Sequence, residues 1–141
     1  MDFAGMNYIA IVVAGVASFL FGAAWYNVLS KPWRAAAGVS DDQIKASNAG
    51  ANMARLLALT LVAQLVMAWV LAGLIGHLGD GQVTVSNGLI SGAFVWAGFV
   101  ATTLVVNHGF ALKLGMLTII DGLYWLGVLM IQGGIIGAFG V

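Results

Sequence analysis

Four long apolar segments constrain this chain more than any other feature of its sequence. They lie at about residues 7–29, 56–75, 87–106 and 114–136, and the first three contain no charged residue. A helix needs about 20 apolar residues to cross the roughly 30 Å of hydrocarbon in a bilayer. Because the segments are continuous, and longer than barrel strands of about 10 residues, they predict four membrane-spanning helices.

The composition agrees with lipid as the solvent for most of the chain. Of the 141 residues, 62% are hydrophobic and 7% are charged, whereas a soluble domain has about 25% charged residues. A soluble fold of this length could not bury so much apolar side chain. We therefore expect an all-α polytopic membrane protein in which residues 1–141 form one four-helix transmembrane bundle.

Several classes of function are disfavoured by the residues that the chain lacks or separates. It has no cysteine, which excludes disulfides, thiolate metal sites and cysteine nucleophiles. The net charge of zero gives no reason to expect nucleic acid binding. His77 and His108 fall at opposite ends of the predicted bundle, so they cannot share a metal or haem, and Asp121 lies toward the end opposite His77. We expect no metal, no cofactor and no enzymatic activity.

The positive residues predict how the bundle is oriented. Four of the five Lys and Arg residues lie in the loop at residues 30–55, and the fifth is Lys113 in the third loop. Because positive residues concentrate in cytoplasmic loops, we expect both termini to be non-cytoplasmic. The first span lacks the basic start of a signal peptide and is expected to be retained. Trp25, Tyr26 and Trp33 near its end are typical of interface aromatics.

The loop at residues 30–55 contains a proline and a helix start signal. Pro32 is expected to end the first helix. Ser40, followed three residues later by Gln43, has the form of a capping box and predicts a short helix over about 41–48. We interpret the loop as a solvated connector at the cytoplasmic face, with docking of a partner as the alternative.

Asp121 is the only charged residue between Leu114 and Val141. An ionised carboxylate inside a membrane costs at least ~2.5–3.5 kcal/mol, so this one must be protonated, hydrogen-bonded, hydrated or paired. Spacing of four and three residues places it on one helix face, which we expect to point into the bundle or an oligomer interface. That face consists of Leu114, Thr118, Asp121, Trp125, Val128 and Gln132.

Candidate partners of Asp121 follow from depth in the membrane. Gln64, Thr103 and Tyr26 are expected at a similar depth, and Arg55 could reach inward as a counter-ion. One hypothesis is that Asp121 binds a cation or carries a proton. The alternative is a protonated acid that bridges helices by hydrogen bonds, since burial favours the neutral form of a carboxyl group.

Asn107 and His108 end the third predicted span. They are candidates for a polar cytoplasmic mouth that contacts a substrate or partner. The alternative, which we favour, is a helix C-terminal cap assisted by Gly109.

Repeats and glycines give weaker signals. Residues 55–65 can be laid over residues 113–123, and residues 7–27 over residues 87–107, as in a parallel repeat of helix pairs of the kind found in transporters. Small residues on all four spans allow tight helix packing. Two pairs of glycines have the spacing of helix-packing motifs, in numbers that the composition alone explains: Gly88 with Gly92, and Gly133 with Gly137.

Three segments of the chain resemble a known family. They read "GAAWYNVLSKPW", "GFVATTLVVNHGFALK" and "DGLYWLGVLM", and the family comprises small bacterial integral membrane proteins catalogued as a domain of unknown function. The resemblance implies four spans, a bacterial inner membrane location and no established activity. It adds Tyr124 and Trp125 to the candidates. It also implies asparagine at the position of Asp121, a departure that favours a hydrogen-bonding role.

Two hypotheses of function follow. In the first, a homo-oligomer in the lipid bilayer moves a small solute or ion along a path, with a cytoplasmic mouth. The path candidates are Asp121, Gln64, Tyr124, Trp125, Tyr26 and Thr103, and the mouth candidates are Asn107, His108 and Arg55. In the second, the protein is a non-catalytic accessory subunit of a larger membrane complex.

Overall fold

The structure of the protein, a computed structural model, describes residues 2–141, and these residues form helices without strands. A π-helical segment, Trp96–Ala101, separates the fifth and sixth α-helices. The α-helices are α1 (Tyr8–Val28), α2 (Ser30–Ala37), α3 (Asp41–Asn48), α4 (Asn52–Gly76), α5 (Val85–Val95), α6 (Thr102–Phe110) and α7 (Met116–Phe139).

Four helices are long and apolar enough to cross a membrane. They are α1, α4, α7 and a third span that runs without a break through α5, the π-helical segment and α6. Their lengths are 21, 25, 24 and 26 residues, and the mean hydropathy of the most apolar stretch in each lies between 1.6 and 2.2. The predicted all-α fold with four spans is therefore confirmed.

The helix ends differ from the ends of the apolar segments. The helix α4 begins at Asn52 and the third span continues to Phe110, because a helix satisfies its own backbone and can extend beyond the hydrocarbon. The helix α7 begins at Met116 and not at Leu114, since Gly115 has a φ of 131°, which is incompatible with a right-handed helix.

Pro32 ends the first helix as predicted, and it also explains why a second helix, α2, follows directly. A proline clashes with the carbonyl of the residue four positions earlier, which is Val28, the last residue of α1. In the first turn of a new helix the missing N–H is not needed. The chain therefore restarts at once as α2, which carries Trp33 back toward the bundle.

The predicted helix over residues 41–48 is confirmed as α3. The Ser40 hydroxyl accepts a hydrogen bond from the Gln43 backbone N–H, and the Gln43 side chain accepts one from the Ser40 N–H, which completes the capping box. Arg34 of α2 forms an exposed ion pair with Asp41 of α3 at 3.0 Å. The two short helices lie at what we call the basic end of the bundle, where all five Lys and Arg residues are found; the opposite end is the terminal end.

The helix α7 lies at the centre of the bundle and packs closest against α5. Glycines make this approach possible: a Cβ on Gly88 would overlap the Gly133 carbonyl, and one on Gly92 would lie 2.7 Å from the Leu129 carbonyl oxygen. Gly137 faces the carbonyl of Thr84 in the same way. Within one chain, the glycine pairs thus serve the contact between the third and fourth spans.

The terminal end of the bundle is closed by apolar side chains. A buried cluster joins α1, α4 and α7 there, and it comprises Ile11, Ala14, Ala68, Leu71, Ala72, Ile75, Leu129 and Ile136. Toward the basic end, the interior becomes polar.

The third span is much less covered than the others. Of its most apolar stretch, 6% of residues are buried, compared with 28% to 44% for the other three spans. Phe94, Phe99 and Phe110 are exposed. The packing does not follow the parallel repeat suggested by the sequence, because α1 packs along α7 whereas α5 touches α4 over a shorter stretch.

Candidate functional site

Four helix ends meet around Asp121 at the basic end. Asp121 is the sixth residue of α7, Tyr26 lies in the last turn of α1, Trp33 in the first turn of α2 and His108 in the last turn of α6. The alternation of the spans brings these helix ends to the same side of the bundle. Residues far apart in the sequence thereby reach one carboxylate.

The carboxylate of Asp121 is held by neutral donors on one oxygen and faces a histidine with the other. The Tyr26 hydroxyl donates to Oδ1 over 2.7 Å, and the Trp33 indole N–H donates to the same atom over 3.1 Å. Oδ2 lies 3.6 Å from Nε2 of His108, whose Nδ1 is 2.9 Å from the Thr118 hydroxyl. The Asp121 side chain is 16% exposed. We call these five side chains the aspartate cluster.

The charge of Asp121 has no permanent counter-ion nearby. Among residues 2–141, the ion pairs are that of Arg34 with Asp41 and that of Asp121 with His108, and the histidine is charged only when protonated. The hydroxyl and indole donors orient a carboxylate without neutralising it. The arrangement can therefore accept a proton or a cation.

A second polar network lies deeper, near the middle of α1 and α4. Gln64 accepts a hydrogen bond from the Ser18 hydroxyl at 2.9 Å and donates to the Tyr124 hydroxyl at 2.8 Å. The Gln132 amide donates to Ser18 at 2.9 Å and to both Gln64 oxygens at 3.1 Å. All four side chains are buried, and among the described residues the Gln132 oxygen Oε1 accepts no hydrogen bond. We call these side chains the amide cluster.

Two tyrosines join the two clusters. Tyr26 of the aspartate cluster and Tyr124 of the amide cluster pack edge to face with ring centroids 4.9 Å apart. Polar groups thus extend from the basic end to Gln132. Beyond Gln132, the apolar cluster of the terminal end closes the bundle.

A cavity of about 570 Å³ lies beside both clusters, between α1, α4 and α7. Its aromatic wall is formed by Phe19, Tyr26, Tyr124 and Trp125, and its other wall by the first half of α4. The α4 residues Leu56, Leu57 and Leu59 are exposed on the outer surface. The cavity therefore opens sideways, toward the lipid.

Several predicted candidates are brought together. Tyr26 contacts Asp121, Gln64 contacts Tyr124, and the Trp125 ring lies 4.7 Å from that of Tyr124. The predicted inward face of α7 is also found: Thr118, Trp125, Val128 and Gln132 are buried or half-buried. Leu114 departs from it, because it precedes the helix and is exposed.

Thr103 and Arg55 are not brought to Asp121. Thr103 is exposed, and its hydroxyl bonds to the Phe99 carbonyl of its own helix. Arg55 is exposed in the first turn of α4 and forms no ion pair with a described residue. The expectation that Arg55 is the counter-ion of Asp121 is therefore wrong; its place at a cytoplasmic mouth stays a prediction.

The cap predicted at Asn107 and His108 is also wrong. The helix α6 continues through Gly109 to Phe110, and the chain turns at Leu112, which has a φ of 57°. Consecutive helical residues point about 100° apart. Asn107 is therefore exposed, whereas His108 turns inward to Asp121.

The sequence reasoning missed Ser18 and the role of Trp33. Ser18 is the middle residue of α1, as Gln64 is of α4, so matching polar residues by their distance from helix centres would have paired them. Trp33 could not be placed without α2, and no pattern in the sequence indicated that helix. Ser18 and Trp33 each act through a hydrogen bond to a different helix, which a local sequence pattern does not show.

Known proteins include a family to which most of this chain is similar. A family model described as "Protein of unknown function (DUF1761)" matches residues 9–137, which is nearly the whole chain. No curated protein and no solved structure matches the chain.

Proposed function

The chain belongs to the DUF1761 family of proteins of unknown function, and we propose that it translocates a small solute or ion across the cytoplasmic membrane of a bacterium as a homo-oligomer. The single observation that supports this is the carboxylate of Asp121. It lies within a span, is held by donors from α1 and α2, and has no Lys or Arg paired to it among residues 2–141. Ionisable residues inside membranes commonly mark ion or solute pathways.

The way in which Asp121 is held suits binding and release. Neutral donors such as a phenol and an indole satisfy the lone pairs of a carboxylate but leave its charge available. An arriving proton or cation then supplies the missing charge, which is worth more in an apolar setting than in water. A lysine or arginine at this place would occupy the site permanently.

The path from Asp121 is polar as far as the middle of the bundle. The amide cluster follows the aspartate cluster, and the apolar cluster of the terminal end lies beyond it. Translocation therefore requires a second conformation, in which the helices separate at the terminal end while the basic end closes.

Flux into proteoliposomes tests this proposal. We would measure proton, sodium and potassium entry under an imposed membrane potential for the wild type, Asp121→Asn and Asp121→Leu, with the exposed Asp42→Asn as the matched control. We expect both Asp121 variants to lose at least tenfold in flux, while Asp42→Asn retains it and all four proteins give the same size-exclusion profile. Normal flux in Asp121→Leu would contradict the proposal, as would a wild type that moves neither these ions nor an organic cation.

A second candidate function is supported by the third span. Its exposed Phe94, Phe99 and Phe110, and its small buried share, are favourable for packing against another protein in the membrane. In this alternative the chain is an accessory subunit of a larger complex. Native mass spectrometry after extraction in mild detergent separates the two candidates: copies of this chain alone support the first, and defined additional subunits support the second.

A further inference from the structure

The cavity between α1, α4 and α7 has the size and shape of a ligand site. Its volume of about 570 Å³ lies within the range of roughly 300–1,000 Å³ that is usual for small-molecule pockets. The leucines Leu56, Leu57 and Leu59 line the cavity and are also exposed on the outer surface, so the cavity has a side opening among them. A ligand that dissolves in the bilayer can therefore enter without crossing water.

The inner wall of the cavity is aromatic. Phe19, Tyr26, Tyr124 and Trp125 line it. The Tyr124 ring contacts that of Tyr26 edge to face and that of Trp125 in a tilted arrangement. The faces of aromatic rings attract cations, and cages of such rings recognise quaternary ammonium groups. Tyr26 donates its hydroxyl to a carboxylate, which increases the electron density of its ring.

The carboxyl group of Asp121 lies directly behind this wall. Asp121 is one hydrogen bond from Tyr26 and one helical turn from Trp125 on the same face of α7. The residues that line the cavity include no Lys, Arg or His. An ionised Asp121 beside a neutral His108 therefore makes the electrostatic potential in the cavity negative.

Other classes of ligand fit this chemistry less well. An anion would be repelled by Asp121 and would find no positive side chain in the lining. A small inorganic cation needs about six oxygen ligands, whereas the side-chain oxygens of the lining are three hydroxyls, those of Tyr26, Thr60 and Tyr124. A neutral acyl chain would fill the volume but would use neither the rings nor the charge.

We propose that this cavity binds a lipophilic organic cation, with the aromatic wall around its apolar body and Asp121 as the counter-charge. The inference rests on the proposed function in that it names the substrate class of the transport site. It also makes a statement about binding alone, which is measured without flux.

A pair of probe ions of the same shape and opposite charge tests the inference. Tetraphenylphosphonium and tetraphenylborate are titrated by equilibrium dialysis against the purified protein in detergent, with empty micelles subtracted. We expect saturable binding of the phosphonium only. Trp125→Leu and Phe19→Leu should each weaken it by between about twofold and thirtyfold, and Asp121→Asn should weaken it by at least tenfold.

Trp69→Leu is the matched control, because Trp69 is an exposed tryptophan of α4 that does not line this cavity. Equal binding of the two probes, unchanged affinity in the Trp125 and Asp121 variants, or an equal loss in Trp69→Leu would overturn the inference. The use of two wall variants, each checked by size exclusion, keeps the test valid if one of them fails to fold.

The two proposals can fail separately. A protein that conducts an ion through Asp121 but does not bind the phosphonium retains the proposed function and overturns this inference. A protein that binds the phosphonium through the aromatic wall, but moves neither it nor an inorganic ion, retains this inference and contradicts transport.

Discussion

At the scale of single residues, the interior of the bundle depends on hydrogen bonds between side chains of different spans. In water an amide such as that of Gln64 would be solvated at little cost. Inside the bundle it has exchanged water for Ser18, Tyr124 and Gln132. Its removal leaves the Tyr124 hydroxyl without its donor and takes one hydrogen bond each from Ser18 and Gln132. Gln64 is therefore a more central residue for stability than its uncharged side chain suggests.

We predict that Gln64→Leu lowers the free energy of unfolding by about 1–3 kcal/mol, because the buried Tyr124 hydroxyl loses its partner and Ser18 and Gln132 each lose a hydrogen bond. The measurement is unfolding in mixed micelles, followed by circular dichroism. Thr60→Val, one helical turn away, is the matched control, since the Thr60 hydroxyl bonds only to the Leu56 carbonyl of its own helix. Equal destabilisation by the two substitutions would show that the hydrogen bonds of the amide cluster do not contribute to the free energy of unfolding.

At the scale of elements, the closest contact in the fold is made where side chains are absent. Gly88 and Gly133 place the backbones of α5 and α7 against each other, which allows dispersion contacts along both helices. The space is not limited along the whole of the third span. Gly98, in the same span, has no neighbouring atom within 4 Å of an added Cβ.

We expect Gly88→Ala to destabilise the protein by about 1–3 kcal/mol, because the new methyl group overlaps the Gly133 carbonyl and forces the helices apart. Gly98→Ala makes the same chemical change in open space and should leave the unfolding midpoint unchanged or raise it slightly. Thermal unfolding in detergent measures both. A larger loss in Gly98→Ala than in Gly88→Ala would contradict the packing described here.

The helices were predictable from the sequence, whereas most contacts between them were not. Helix existence follows from local information: apolar run length predicts the four spans, and the Ser40 to Gln43 capping box predicts α3. Partners across helices depend on rotation about each helix axis, which run length does not specify. Depth selected Thr103 as a partner of Asp121 and left His108 as a candidate for the mouth, but it is His108 that faces α7. The contribution of Trp33 depends on the direction of α2 after Pro32, which is a property of packing.

At the scale of the whole molecule, charge is distributed unequally between the two ends. All five Lys and Arg residues lie at the basic end, with the aspartate cluster beneath them. The positive-inside tendency then predicts that Asp121 and the mouth of the cavity are reached from the cytoplasmic half of the membrane.

Cysteine labelling in intact cells tests the orientation, and the absence of native cysteine makes the background low. Asp42→Cys lies at the basic end and Asp80→Cys at the terminal end, and both positions are exposed. We expect a membrane-impermeant maleimide to label Asp80→Cys in intact cells and Asp42→Cys only after permeabilisation. The reverse pattern would place the basic end outside the cytoplasm.

The π-helical segment determines which side chains of the third span reach α7. Gly92 and His108 are sixteen residues apart, and in a regular α-helix they would point about 160° away from each other. A π-helical turn accommodates one extra residue, which reduces the angle between the directions of Gly92 and His108 to about 60°. The third span therefore presents a glycine surface to α7 at one depth and a histidine at another. The π-helical segment between Trp96 and Ala101 sets the rotation of α6 relative to α5 about the helix axis. This rotation allows one span to contribute Gly88 and Gly92 to the contact with α7 and His108 to the aspartate cluster.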